Sequence, residues 1–335
     1  MPLDPAYLNA LNFGVFLLNA AALAWLAAGT GPVRPGQRAS WAAAFAFIAG
    51  IIFYPVNKAM MSGQIQLWLD LGFTVAVLAW WRRQHFTAGL LLGLACAIKP
   101  QFGLFLLWGL VWRRWSFVAG FLAVALPIGA LSVALYGLPN HIAYLEVLSF
   151  ISRHGEAYAA NNSINGILNR LLLDGPSPAF DPHAFAPYNP YVHAGTILAT
   201  LGFLLLALAP AVLRRGREPG PLEFGIAGLC FTMASPIAWD HHYGIMLPLY
   251  VVTLQALLTG APLRLQRSGL LLLALSWCLS AGFPTSLRAI GLPPWNIVQA
   301  HLFFGATILL GLMLAVARQG GLDPGRGRGH PAIAE

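Results

Sequence analysis

The sequence reads as an all-α polytopic membrane protein with about nine transmembrane helices, a short broken-helix hairpin and one large external loop. Three observations predict this class. Of 335 residues, 58% are hydrophobic and only 9% charged, far below the roughly one-quarter charged fraction of a soluble domain. Apolar residues come in runs of about twenty, the length that takes a helix across a hydrocarbon core. Arginines gather in alternate connections between those runs, as the positive-inside rule requires. The formal charge of +8 therefore reports topology, and with no basic soluble face no nucleic-acid partner is expected.

The first ten residues lack the basic stretch of a cleavable signal, so the first apolar run is expected to stay in the membrane. Spans are expected at 6–28, 41–57, 65–81, 115–136, 192–213, 222–239, 244–261, 269–284 and 296–317. Between Arg82-Arg83 and Arg113-Arg114 the chain is apolar for only about thirty residues, too few for two full crossings. Lys99-Pro100 interrupts this stretch, and proline disfavours helix at the residue before it, so 86–98 and 101–112 are expected as a bent helical hairpin. One long kinked span is the alternative, and charge decides against it. With the hairpin, one side holds Arg34, Arg38, Arg82, Arg83, Arg113, Arg114, Arg214, Arg215, Arg217, Arg264, Arg267, Arg318, Arg326 and Arg328. The other holds only Lys58, Lys99, Arg153, Arg170 and Arg288, which makes the arginine side cytoplasmic.

The largest polar stretch, 137–191, falls on the external side, and long loops tend to do binding work. Within it 163–173 reads as a short amphipathic helix, with Ile164, Ile167, Leu168 and Leu171 on its apolar face. Residues 1–319 are expected to form one membrane-embedded domain, and 320–335, rich in glycine, proline and arginine, a disordered cytoplasmic tail. Cys96, Cys230 and Cys278 lie in apolar runs without metal-ligand spacing and read as packing residues.

Four polar clusters share the external side and are expected to converge on one cavity. They are Asn57-Lys58 with Ser62-Gly63-Gln64, Lys99-Pro100-Gln101, the stretch from Asn161 to Arg170, and the stretch from Trp239 to Tyr243. Lys58 and Lys99 are the only lysines. Such a lysine with a glutamine nearby suits a lipid phosphate: the ammonium brings charge, the amide orients, and low dielectric strengthens both. Lys58 also has the plain option of snorkelling to the interface. Lys99 sits at a helix break deep in an apolar stretch, where a charge without a partner is expensive. Asp70 reads as a buried partner for one of these lysines.

Arg170 offers a planar guanidinium to phosphate or simply solvates the loop. Asn161, Asn162 and Asn165 offer amides to sugar hydroxyls or simply make turns. Asp240 reads as a general base, or as the orienter of one, beside His241 and His242. At most one of the two histidines is expected to face the cavity, because neighbouring helical side chains diverge. No third histidine or carboxylate is spaced to complete a metal site, so no metal is assigned. The sequence also has no serine-hydrolase elbow, zinc-protease motif, P-loop or dinucleotide fingerprint.

Together these residues resemble a known class. Gly63-Gln64 precedes a span, and Gly89-x-x-x-Gly93 leads to Ala97-Ile98-Lys99-Pro100. Arg-Arg-Trp follows at 113–115, then an Asn-Asn-Ser, Asn-Gly, Asn-Arg loop at 161–170, then Ser-Pro-x-x-Trp-Asp-His-His at 235–242. Over about residues 50–260 this order is similar to the GT-C-type glycosyltransferases, and within them to the polyprenol-phosphate-mannose-dependent α-1,2-mannosyltransferases, including those acting on phosphatidylinositol mannosides. The resemblance implies a multi-pass protein of the cell membrane with an external active site and no cofactor. It implies a polyprenyl-phosphate sugar donor, mannose above all, an external lipid or glycan acceptor, and inverting transfer. On that reading Lys58, Lys99 and Arg170 serve the phosphate. Gln64, Asn161, Asn162 and Asn165 serve the sugar, and Asp240, His241 and His242 handle the proton.

The sequence departs from the class at one point. The class places a base aspartate in its first external loop, whereas Asp4 stands directly before the first span without that loop. An N-terminally truncated member is therefore expected, with Asp4 or Asp240 substituting, or an inactive homologue, as alternatives. A transporter or flippase of lipid-linked sugars is the rival class; it predicts half-repeats, and no internal repeat stands out.

Overall fold

The computed structural model describes residues 5–30, 37–172, 175–181, 184–213, 216–282, 287 and 289–319. Asp4, Arg34, Arg214, Arg215, Arg288, Arg326, Arg328 and the tail 320–335 lie outside the described residues. The helices in chain order are α1 (Pro5–Thr30), α2 (Gln37–Ile52), α3 (Tyr54–Met61), α4 (Gln66–Trp81), α5 (His85–Ile98), α6 (Leu104–Val111) and α7 (Trp115–Tyr136). They continue with α8 (Leu138–His154), α9 (Ile164–Leu171), α10 (Pro190–Leu213), α11 (Pro221–Met233), α12 (Met246–Gly260), α13 (Leu263–Ala281) and α14 (His301–Arg318). Short 3-10 turns at Pro100–Gly103, Asp240–Ile245 and Trp295–Ala300 lead into α6, α12 and α14.

Five helical stretches are long and apolar enough to cross a membrane: Tyr7–Gly29, Trp115–Tyr136, Pro190–Leu213, Asp240–Thr259 and Trp295–Arg318. A sixth is the pair Ser40–Ile52 and Tyr54–Met61, bent by 51°. The number is thus five or six among the described residues, against the nine expected. The difference has local causes. Phe53 is extended (φ −68°, ψ 116°) and Pro55, which has no N–H to continue the ladder, falls in the first turn of α3, so the second run breaks there. Helices α4 and α11 have 16 and 13 residues, short of the roughly twenty that a crossing needs. Helix α13 opens with Arg264, Gln266 and Arg267, so apolar residues begin only part-way along it. The expected loop 137–191 also differs, because α8 occupies its first third and no side chain of α8 is buried.

The hairpin at Lys99-Pro100 forms as the sequence predicts. Lys99 is extended (φ −134°, ψ 100°) and Pro100 opens the 3-10 turn, where its missing N–H matters least. Its first arm packs closely on α7 because both carry glycines. A Cβ on Gly89 would lie 2.2 Å from the Phe117 carbonyl oxygen, and one on Gly120 would lie 2.1 Å from that of Phe86. Small residues let membrane helices approach to backbone contact. Behind this contact an aromatic core fills in, with Trp80 stacked on Phe224 at 4.8 Å and edge-on to Trp108 at 5.2 Å.

Charge separates the two ends of the bundle. At one end the Arg82 guanidinium lies 4.0 Å over the Trp25 ring, and Arg83 and Arg114 both bind Glu218. The hydrogen bond from Arg114 holds the Glu218 carboxyl below its usual range. The residues singled out for chemistry lie at the opposite end.

Candidate active site

Helix α11 stops ahead of Ser235-Pro236, and the chain runs extended through Trp239 (φ −71°, ψ 161°) before the 3-10 turn Asp240–Ile245. His242 Nδ1 accepts the Trp239 N–H at 3.3 Å, which closes the start of that turn. A cavity of about 300 Å³ opens above it, lined by Ile237, Trp239, His241 and His242 on one side. Gln64, Ile65, Gln66, Ile98 and Lys99 form the other. Both imidazoles therefore reach the cavity, with ring centroids 4.7 Å apart and planes at 90°. The expectation that only one would do so is corrected: it assumed helix sides, and the cavity instead covers the corner where extended chain enters the turn.

Asp240 lies behind this wall, 3% exposed. It accepts a hydrogen bond from Tyr54 Oη at 2.6 Å and one from Asn162 Nδ2 at 2.7 Å. The same loop is tied to the turn by main chain, since Asn162 N–H donates to the Ala238 carbonyl at 2.8 Å and Asn161 Oδ1 accepts the Ala238 N–H at 2.9 Å. Tyr243 Oη donates to the Asn162 carbonyl. Ser163 caps α9 by accepting the Gly166 N–H at 3.0 Å, as serine does at a helix start.

Arg170 is fully buried and donates from Nη1 to the carbonyls of Tyr158 and Asn161, at 3.0 and 2.9 Å. Burial pushes its guanidinium down to about 10, against the attraction of Asp240, so it stays cationic at neutral pH. Asn165 donates to Thr196 Oγ1 at 3.1 Å and accepts from Asn169 at 2.8 Å. Asn161, Asn165 and Arg170 thus brace the loop, while Gln64, Lys99, His241 and His242 line the cavity.

Lys99 Nζ donates to Gln66 Oε1 at 3.1 Å, and Gln66 Nε2 donates to Asp70 Oδ1 at 2.9 Å. Lys58 lies within electrostatic reach of His241, and Lys99 within reach of both histidines. Sequence reasoning missed Tyr54, Gln66 and Glu156. Glu156 Oε2 accepts the Trp239 indole N–H at 2.6 Å, across 83 residues of chain. Only Gln66 had left a signal, because it stands four residues before Asp70 on one helix face.

The comparison with known proteins settles the family, since residues 2–236 match the model of glycosyltransferase family 87. The chain belongs to glycosyltransferase family 87. Over 281 residues it is 31% identical to a polyprenol-phosphate-mannose-dependent alpha-(1-2)-phosphatidylinositol pentamannoside mannosyltransferase of Mycolicibacterium smegmatis, a match that covers 81% of this chain and 63% of the relative. Over 220 residues it is 30% identical to the polyprenol-phosphate-mannose-dependent alpha-(1-2)-phosphatidylinositol mannoside mannosyltransferase of the same organism, covering 65% and 48%. The chain therefore spans less than two thirds of the length of either relative. No solved structure matches it. Family membership and the apolar helices make this family 87 chain a multi-pass membrane protein.

Proposed function

We propose that the chain is a GT-C-type glycosyltransferase that moves a hexose, mannose first among them, from a polyprenyl-phosphate donor to a lipid or glycan acceptor at the external face of the cell membrane. One observation supports this most. Lys99, His241, His242 and Gln64 line one cavity, with Lys58 close to His241, at the end of the bundle away from Arg82, Arg83 and Arg114. Both relatives are named for a polyprenol-phosphate-mannose requirement, and the positive-inside rule places the arginine end in the cytoplasm.

In the proposed reaction the acceptor hydroxyl oxygen attacks the anomeric carbon, and the bond from that carbon to the phosphate oxygen breaks. The polyprenyl phosphate leaves with the electron pair, passing from a singly charged diester to a monoester of nearly two charges. Lys99 and Lys58 meet the charge that develops, and fixed cations in a site of low dielectric favour the transition state over the bound donor. His241, which has no hydrogen-bond partner among the described residues, takes the proton from the hydroxyl. Asp240, held by Tyr54 and Asn162, fixes the turn that aims the histidine and supplies the negative charge behind it. Gln64 meets sugar hydroxyls. The phosphate is met by side chains, so the scheme uses no metal or cofactor.

Membranes carrying the full chain and radiolabelled polyprenyl-phosphate mannose test this reading. Wild type is expected to transfer label to a lipid or glycan product. Lys99→Ala, His241→Ala and Asp240→Asn are each expected to lower transfer by about a hundredfold, the scale of one charge-stabilising or proton-transfer group. Transfer that survives all three substitutions unchanged refutes the site.

A further inference from the structure

We propose that Asp70 is a positioning residue for the donor phosphate, holding the Lys99 ammonium at the cavity wall through Gln66. The inference rests on reading Lys99 as a phosphate-binding group. A carboxylate only accepts hydrogen bonds and an ammonium only donates them, whereas a primary amide does one at each end. Asp70 takes the Gln66 Nε2 donor at 2.9 Å and so turns the amide oxygen outward, where it receives Lys99 Nζ at 3.1 Å. Gln66 and Asp70 are one helical turn apart on α4, which makes the pair a rigid unit.

Asp70 is 0% exposed and makes no direct salt bridge among the described residues. A buried charge of this kind is costly without a counter-charge. Its other oxygen abuts the turn that bears the histidines: a Cβ on Gly244 would lie 2.0 Å from Asp70 Oδ2. One carboxylate therefore touches both halves of the cavity wall. Lys99 is faced by Asp70 from α4, through Gln66, and by His241 and His242 from the 3-10 turn. Lys58 from α3 faces His241. Asp70 is the one acidic group in this set, and in its ionised form it sustains the Lys99 ammonium against burial.

The test is donor kcat/KM from about pH 6 to about pH 9, the range in which a buried lysine titrates, on full-length chain whose folding is followed by thermal unfolding. Asp70→Asn is expected to lower kcat/KM about tenfold at neutral pH and to move the alkaline limb to lower pH. Asp70→Asn combined with Gln66→Glu returns the negative charge one link nearer to Lys99 and is expected to recover kcat/KM to within about threefold of wild type. A role in packing alone predicts no recovery and an unmoved pH profile, and that result overturns the inference. Should Asp70→Asn fail to accumulate, Gln66→Met cuts the link with the carboxylate in place: the same loss supports the inference, and a wild-type profile overturns it. Lys99→Ala is the control. Loss in Lys99→Ala with none in Asp70→Asn removes this inference alone, whereas no loss in Lys99→Ala removes the phosphate assignment and this inference with it.

Discussion

A histidine or a lysine does little alone here; each acts through what holds it. Lys99 is aimed by an amide, His242 is fastened by a main-chain N–H, and Trp239 is oriented by a carboxylate 83 residues away. Sequence reasoning found the first two because lysine is scarce and paired histidines at the mouth of a helix are conspicuous. It missed Glu156, whose only link to the site is through space. Burial raises the Glu156 carboxyl above its ordinary value, with the Trp239 hydrogen bond opposing. A raised carboxylate holds its proton more tightly folded than unfolded, so its contribution is most favourable below the unfolded value and declines as pH rises through the folded one. Glu156→Gln, measured by thermal unfolding in detergent, is therefore expected to be less stable relative to wild type in acid than at neutral pH. A difference that does not vary with pH contradicts the assigned burial.

Among the elements, three turns repeat one hydrogen-bond pattern. After α3, α4 and α6 the chain closes with 6→1 bonds from Gln64 N–H to Ala59 O, Gln84 N–H to Ala79 O, and Arg114 N–H to Gly109 O. The left-handed position of this helix stop is Gly63 (φ 59°) in the first turn, but Arg83 (φ 60°) and Arg113 (φ 55°) in the others. An L-residue there costs about 1 kcal/mol that glycine does not. Arg83 also binds Glu218, whereas Arg113→Gly isolates the backbone effect. It is expected to raise stability by about 1 kcal/mol, seen as a higher unfolding temperature, and a fall contradicts the strain argument. The Arg-Arg pairs thus combine a topological charge with a turn that the residue type alone does not favour, which is why their conformation was not legible. The Lys99-Pro100 break was legible because proline acts locally. The bend at Phe53, the length of α11 and the whole of α8 were not. Apolar composition marks what lies in lipid, but where a helix stops depends on the neighbours that satisfy its ends.

On the scale of the whole molecule the chain is a bundle with unlike ends. Arginines that meet tryptophan and Glu218 crowd one end; the two lysines, both cavity-lining histidines and the braced 155–171 segment occupy the other. The sequence puts Arg82, Arg83 and Arg114 in connections other than those of the two lysines, and these three arginines meet at the end of the bundle away from Lys99. Gln64, Lys99 and the corner from Trp239 to His242 meet at one cavity while the 161–170 stretch braces the turn behind it, and this is a property of the packing, which periodicity does not encode. The central claim is that this cavity binds the phosphate of a polyprenyl-linked donor through Lys99 and Lys58. Its most direct measurement is the affinity of purified full-length chain for polyprenyl phosphate, with unphosphorylated polyprenol as the comparison. Lys99→Ala and Lys58→Ala are expected to weaken the phosphate ligand by about tenfold or more each, the worth of a charge-assisted hydrogen bond, and to leave polyprenol binding as in wild type. Equal affinity of wild type and both variants for polyprenyl phosphate would contradict it.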